Sequence, residues 1–441
     1  MKIKAAVVAL LALAACGGDD TASTGDASGG GPEASAGDGS GEGAADAAPS
    51  CGTNAWLTYG HDSRRTFTSD ACIKGNLKKK WTYTPAPPMG RTSKAFNRAI
   101  AQSDAVFLQW AASDDPYTGT TAADRVSIDG MRVWTFDSGS DSNLKFWPTF
   151  AFGSLFLDDD GVYVLDGATG KKTAATGVDR WGQIAFDDTR LYASNCLKLD
   201  GPGLEVWAFG TDTKPIWQKN PYAKCGEAEG EIAGGTALDG GVLFTTASYV
   251  FQAKPAPLAS GVYALDAVTG AQKWFKPYTP TSSISAGEGK VYFIDSSATL
   301  FALSETDGSV AWSQPVMSSA NQAPVLIDNK IVIMSQGSLV SFSSAGKAGW
   351  KTMVPSASFV SPTSALSNNC SGGQYPNQET TIAGAGGSHT LVVTTGTGLA
   401  VFSALDGTLA WSDATLGALH DPVVTGTRVY ALGAMGLVAF E

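Results

Sequence analysis

Three histidines, five cysteines beyond position 16 and two short aspartate runs are the side chains of this 441-residue chain that could do acid–base, redox or metal chemistry. His61, His389 and His420 are far apart in sequence, and none has a second ligand at metal spacing. His61 lies in a Gly-His-Asp stretch and His420 opens a His-Asp-Pro run. A lone histidine at such a place reads as a structural hydrogen-bonder rather than a base. Asp158, Asp159 and Asp160 precede the alternating strand GVYVLD and read as a solvated hairpin turn, and Asp114-Asp115 reads as a solvated loop. Gly-x-Ser-x-Gly, His-Glu-x-x-His and phosphate-loop motifs are all absent. There is no Cys-x-x-Cys-His for a c-type haem, and no adjacent cysteine pair. The expectation is therefore no catalytic residue, no cofactor and no metal.

The most reactive position is Cys16. Lys2 and Lys4 precede an apolar stretch over 5–15, too short to span a bilayer as a helix. The stretch ends in Leu13-Ala14-Ala15-Cys16, which resembles a bacterial lipobox. That resemblance implies a signal peptide over 1–15, removed as the Cys16 thiol takes a diacylglycerol. Two or more acyl chains make a stable anchor. Residues 16–50 form an acidic Gly/Ala/Ser segment with no aromatic and no Lys or Arg. Such a composition buries too little apolar surface to offset the entropy of ordering, so it is expected to be a disordered tether with a reach of roughly 30–35 Å. Gly17 is not the aspartate that retains such proteins at the inner membrane, which favours the outer membrane. An exported chain can oxidise its cysteines. Cys51 with Cys72 and Cys196 with Cys225 are the expected disulfides, which leaves Cys370 over.

The elements that carry these residues follow from a repeat over 51–441. GVYALDAVTGAQKW (Gly261 to Trp274) recurs as LFALSETDGSVAW, LVSFSSAGKAGW and LAVFSALDGTLAW, with weaker copies ending at Trp134 and Trp217. A copy at 161–174 has Ala174 in place of Trp. Each unit is an alternating apolar strand, a polar turn with glycine, and a Trp four residues beyond that glycine. The spacing predicts that Trp81, Trp134, Trp217, Trp274, Trp312, Trp350 and Trp411 are the structural tryptophans of outer strands, wedged between neighbouring units with each indole N–H on a carbonyl. Two further short strands precede each motif, so each unit reads as a four-stranded propeller blade. The fold expected is all-β, a single β-propeller of eight blades, with seven as the alternative because the Ala174 unit is degenerate. Leu77–Tyr83 has no inner strands before it, and 423–441 has no Trp strand after it. Joining the two would close the ring and remove the exposed sheet edges.

The unit resembles the PQQ repeat of quinoprotein dehydrogenases and of BamB-like lipoproteins, and WLTYGHDSRRT (Trp56 to Thr66) resembles the segment that leads into such propellers. The resemblance covers nearly all of 51–441. It implies either a quinoprotein enzyme or a protein-binding scaffold of outer-membrane β-barrel assembly. Because the adjacent cysteines of the enzyme branch are missing, PQQ is not expected, and the expectation is a non-enzymatic, monomeric envelope scaffold. A ligand-sensing or quinoprotein-type site in the central channel is the alternative. A net charge of −11 excludes a nucleic-acid partner and docking on anionic lipid, leaving the lipid anchor as the membrane contact. Envelope proteins, including barrel-assembly components, are the expected partners. Insertions at Ala111–Ala123, Ser248–Ser260 and Ser367–Gly387 are candidate binding surfaces, with Tyr117, Tyr249, Phe251 and Tyr375 as aromatic anchors.

Overall fold

The computed structural model describes residues 51–52, 55–86, 95–112, 120–141, 148–159, 161–176, 184–194, 206–219, 231–248, 261–317, 323–355 and 380–441. They form eight four-stranded antiparallel blades. Blades 1 to 7 span 95–141, 149–176, 185–219, 231–276, 285–315, 325–353 and 382–413. Blade 8 takes three strands from the C-terminal region (419–440), and its outer strand, Lys79–Tyr83, from the N-terminal side. Lys79 pairs with Phe440 and Trp81 with Ala439. The ring is thus closed by the two chain regions expected to meet, and the Ala174 unit is a complete blade.

The indole of one blade sits on the turn of the next. Trp81, Trp134, Trp217, Trp274, Trp312 and Trp350 donate Nε1–H to Ile128, Gly167, Ala267, Glu305, Ser344 and Ala404 oxygens, at 2.8–3.2 Å. Each acceptor lies in the third turn of the following blade. The glycine of that turn has two reasons to be glycine. Its φ is positive, 80° at Gly346 and 76° at Gly407. A Cβ there would also lie 2.5 Å from the ring of Trp312 or Trp350.

Blade 2 tests this reading. Its outer strand carries Ala174 and presents no indole to blade 3. The turn position of blade 3 is then Thr213, still at positive φ (61°) but with a side chain. Trp207, in the third strand of blade 3, fills the space from the opposite side. It packs in one cluster with Ala174 and stacks on Phe209 at 5.7 Å. Its N–H is buried and has no hydrogen-bond partner among the described residues, unlike the six above.

Every blade starts at the axis, so all innermost strands run the same way. First-to-second and third-to-fourth connections leave from one end, here the turn face. Second-to-third connections and blade-to-blade crossings leave from the other, the crossover face. Two expected insertions are shorter than their sequence ranges. Strands Ala105–Ala112 and Thr120–Ser127 extend into the first, and Ile382–Ala385 forms the innermost strand of blade 7. These stretches are rich in Ala, Gly and Thr, which conceals the apolar alternation.

Gly346→Ala and Gly407→Ala are each expected to lower the unfolding free energy by about 2 kcal/mol or more, because both strain and an indole clash oppose the methyl. Thr213→Gly is expected to stay within about 1 kcal/mol. Denaturant titration of the three variants reads the contrast.

Candidate functional site

The segment leading into the propeller fills the channel at the turn face. Residues 56–72 circle the axis and meet the blades in order. Trp56 exchanges two backbone bonds with Ala101 of blade 1, and Leu57 accepts from Phe150 of blade 2. Ser63 Oγ bonds both backbone groups of Phe186 in blade 3. Carbonyls of Ser63, Arg64, Thr66 and Phe67 accept amides of Leu238, Ala286, Leu326 and Gly384, one from each of blades 4 to 7. Ser69 Oγ donates to Val424 of blade 8, and Thr68–Ser69 pairs parallel to Gly384–Ala385. Positive φ at Gly60, His61, Arg65 and Phe67 bends the chain around the ring. A Cys51–Cys72 disulfide ties the two ends of this plug.

Arg65 anchors the plug and is fully buried. Its guanidinium donates to Thr236 O (2.9 Å), Ile184 O (2.8 Å), Thr58 Oγ1 (3.0 Å) and Tyr59 O. Burial lowers its pKa to about 10, against the opposing fields of Tyr59 and Asp62. Sequence reasoning passed over this arginine, since only the closed ring supplies its carbonyls.

Above the plug lies a buried polar network. Arg98, on the innermost strand of blade 1, contacts Asp421 Oδ2 of blade 8 at 3.1 Å. His420 Nδ1 is 2.9 Å from the same oxygen. The amide and hydroxyl of Thr380 donate to Asp421 Oδ1 at 2.8 and 3.1 Å. Burial pushes the Asp421 carboxyl up, but Arg98, His420 and the Thr380 amide outweigh it and hold the pKa below the ordinary aspartate value. Tyr59 of the plug is buried, and burial dominates in pushing its pKa up to about 12, with the fields of Arg98 and Asp421 acting on it in opposite senses. These groups can fix the plug and the blade 8–1 seam, and their charges are matched to one another.

The histidines separate. His420 belongs to the network, while His389 joins blade 7 to Asp328 of blade 6 at 2.8 Å. His61 lies in the plug with its edge on Trp56, centroids 5.3 Å apart. Its buried ring nitrogens have no hydrogen-bond partner among the described residues, so it is a packing residue rather than the expected hydrogen-bonder. Burial holds its pKa below the ordinary value. Asp158 and Asp159 end the strand Ser154–Asp159, paired with Val162 and Gly161, rather than forming the expected turn, and Asp160 lies outside the described residues. Cys16, Asp114, Asp115, Tyr117, Cys196, Cys225, Tyr249, Phe251, Cys370 and Tyr375 lie outside the described residues. The strand ends flanking all three insertions are on the crossover face.

Comparison with known proteins places this geometry in a class. Residues 199–367 match the family described as outer membrane protein assembly factor BamB. The fold is similar to quinohemoprotein alcohol dehydrogenase from Comamonas testosteroni (TM-score 0.62, 13% identity, 88% of this chain and 80% of that one). It is also similar to BamB from Moraxella catarrhalis (TM-score 0.53, 14% identity, 79% of this chain and 96% of that one). A europium-containing methanol dehydrogenase gives TM-score 0.60 at 11% identity, covering 88% and 89%. No curated protein matches the sequence. The chain is an eight-bladed β-propeller, and it shares that fold with BamB and with quinoprotein dehydrogenases alike.

The enzyme branch of this fold implies PQQ with a metal ion. Such a group would need free cationic donors and convergent carboxylates on the axis. Here Arg98 is committed to Asp421 and Arg65 to the plug's oxygen acceptors. Among the described residues no three His, Cys, Asp or Glu side chains gather as metal ligands. Neither arginine is therefore free to meet an added anionic group.

Two stability tests follow. Asp421→Asn is expected to cost about 3–5 kcal/mol by removing the carboxylate charge that faces buried Arg98, and pairing it with Arg98→Met is expected to restore most of that loss. Because the folded-state pKa of Asp421 is depressed, its contribution is present above the ordinary aspartate value and is lost as pH falls below it. Denaturant titrations across acid pH read both effects. Replacing Cys51 and Cys72 by serine is expected to cost about 2–4 kcal/mol, with the circular dichroism spectrum of the blades unchanged.

Proposed function

We propose that this protein is a non-enzymatic cell-envelope lipoprotein. In this reading it is exported through signal 1–15, anchored through Cys16 and held off the outer membrane by an acidic tether over 16–50. Its propeller serves as a protein-binding scaffold in the manner of BamB, acting in β-barrel assembly. The observation that supports it most is the plug. An axis filled by the chain's own backbone leaves loops and blade edges, rather than a channel site, to meet partners. The family match over 199–367 and the fold shared with BamB support the same reading. Partners would approach the crossover face, whose strand ends lead into the three insertions. Strand addition to a blade edge is the other recognition mode such a sheet offers.

The quinoprotein reading is favoured by the fold shared with the alcohol and methanol dehydrogenases. Thermal melts with added PQQ and calcium separate the two. No change in Tm is expected, and a saturable rise would establish the enzyme reading instead.

Affinity purification of the tagged full chain from detergent-solubilised envelope is expected to recover subunits of the barrel-assembly machinery. An eluate without them would overturn the assembly role. Cys16→Ser is expected to move the protein from the membrane pellet to the soluble fraction.

A further inference from the structure

The seam after blade 7 differs from those after blades 5 and 6. In blade 5 the residue four beyond the outer-strand tryptophan is Val316, buried in one cluster with Ile331 and Ile333 of blade 6. Its amide donates to Ala298 O at 2.8 Å. Blade 6 repeats this with Val354, also buried, whose amide donates to Gly337 O at 2.9 Å. The same position in blade 7 is Thr415, exposed and polar. Asp413 holds it instead, its Oδ1 accepting the Thr415 amide and hydroxyl at 2.8 and 2.6 Å. No valine closes the seam there, and a groove of about 380 Å³ lies between the chain leaving blade 7 and the face of blade 8. Its apolar lining is Leu416, Leu419, Met435, Val438 and Phe440. Leu419, Val438 and Phe440 are buried, while Met435 is 68% exposed at the crossover face. The groove follows Gly436–Phe440, the third strand of blade 8, whose four steps span about 13 Å. Toward the turn face Lys79 of the outer strand pairs with Phe440 and lines the groove.

We infer that this groove binds a medium-chain fatty carboxylate, with its chain along the blade and its head on Lys79. The volume lies at the small end of ligand pockets, which suits one chain. The lining supplies affinity in proportion to the apolar area it covers. Lys79 supplies the charge complementarity. Glu441, which follows Phe440 in sequence, is taken by Lys80 at 3.3 Å and by Thr427 at 3.0 Å. Among the described residues Lys79 itself has no ion-pair partner. Lys78 and Lys80 flank it, so this strand is locally cationic in a chain of net charge −11. Lys79 is exposed. Its attraction is therefore screened by salt, and it selects an anionic head more than it adds strength. The mouth at Ala434 and Met435 is open to solvent, which gives the chain an entry that needs no movement of the blades.

The test is isothermal titration of the full chain with decanoate below its micelle range, with decanol as the uncharged chain. Wild type is expected to bind one decanoate per protein, more tightly than decanol and more weakly as salt is added. Lys79→Glu is expected to weaken decanoate about tenfold and leave decanol unchanged, and Lys79→Arg to keep the wild-type affinity. Ala434→Trp, at an exposed lining position, is expected to block both ligands while the Tm of the free protein stays that of wild type. No saturable binding of decanoate, or binding that survives Ala434→Trp or is unchanged by Lys79→Glu, would overturn the proposal. A concentration-dependent dimer that Ala434→Trp dissolves and decanoate does not would overturn it too, since a second copy would then fill the groove.

Discussion

The contact on which this ring depends is the seating of an indole on the next blade's turn. A four-stranded sheet has two apolar faces and cannot bury both alone, so each blade is stable only against its neighbours. The indole supplies much of the area, and its N–H fixes where along the blade the turn must sit. A carbonyl acceptor on a tight turn leaves little freedom to slide. This explains why the glycine is retained where an indole faces it and replaced by Thr213 where Ala174 faces it. The two residue choices lie on different blades, yet each is the other's condition.

Closure imposes a second constraint. The chain has two ends, and the ring needs one blade made from both. The strand Lys79–Tyr83 is fastened by more than its ladder. Tyr83 donates to Asp124 of blade 1 at 2.7 Å, Lys80 pairs with Glu441 at 3.3 Å, and Lys78 exchanges two backbone bonds with Glu441. Asp124 also accepts from Thr135 at 2.7 Å. Burial raises the Asp124 carboxyl above its ordinary range despite those donors. The plug acts on the same problem from inside, since one continuous segment bonds to every blade and disfavours opening at any seam.

The fold was legible because the repeat carries its own geometry. Alternation gives the strands, the glycine gives the turn and the Trp spacing gives the unit, and all three are local in sequence. The plug was not legible for the opposite reason. Residues 56–72 have no periodicity, and their conformation is set by carbonyls and amides that exist only once eight innermost strands converge. Arg65 looks like any basic residue in SRRT until the ring surrounds it. Trp207 was equally hidden, because it sits in the third strand rather than at the repeat's Trp position and compensates for a deficit on another blade. Of the expected cysteine pairs, Cys51–Cys72 was readable from proximity in the chain and is present.

The charged network on the axis fits a structural role better than a chemical one, for an energetic reason. A buried ion pair costs desolvation that its attraction only partly offsets, so a merely stable axis would be apolar. What an Arg98–Asp421 pair adds is position. Asp421 is bound by blade 1 through Arg98, by its neighbour His420, and by Thr380 at the start of blade 7. One carboxylate thereby ties three successive blades, 7, 8 and 1, around the blade that both chain regions build. A reactive group would need the reverse arrangement, with charge held back from its neighbours and open to a substrate. Here each charge is already used within the ring.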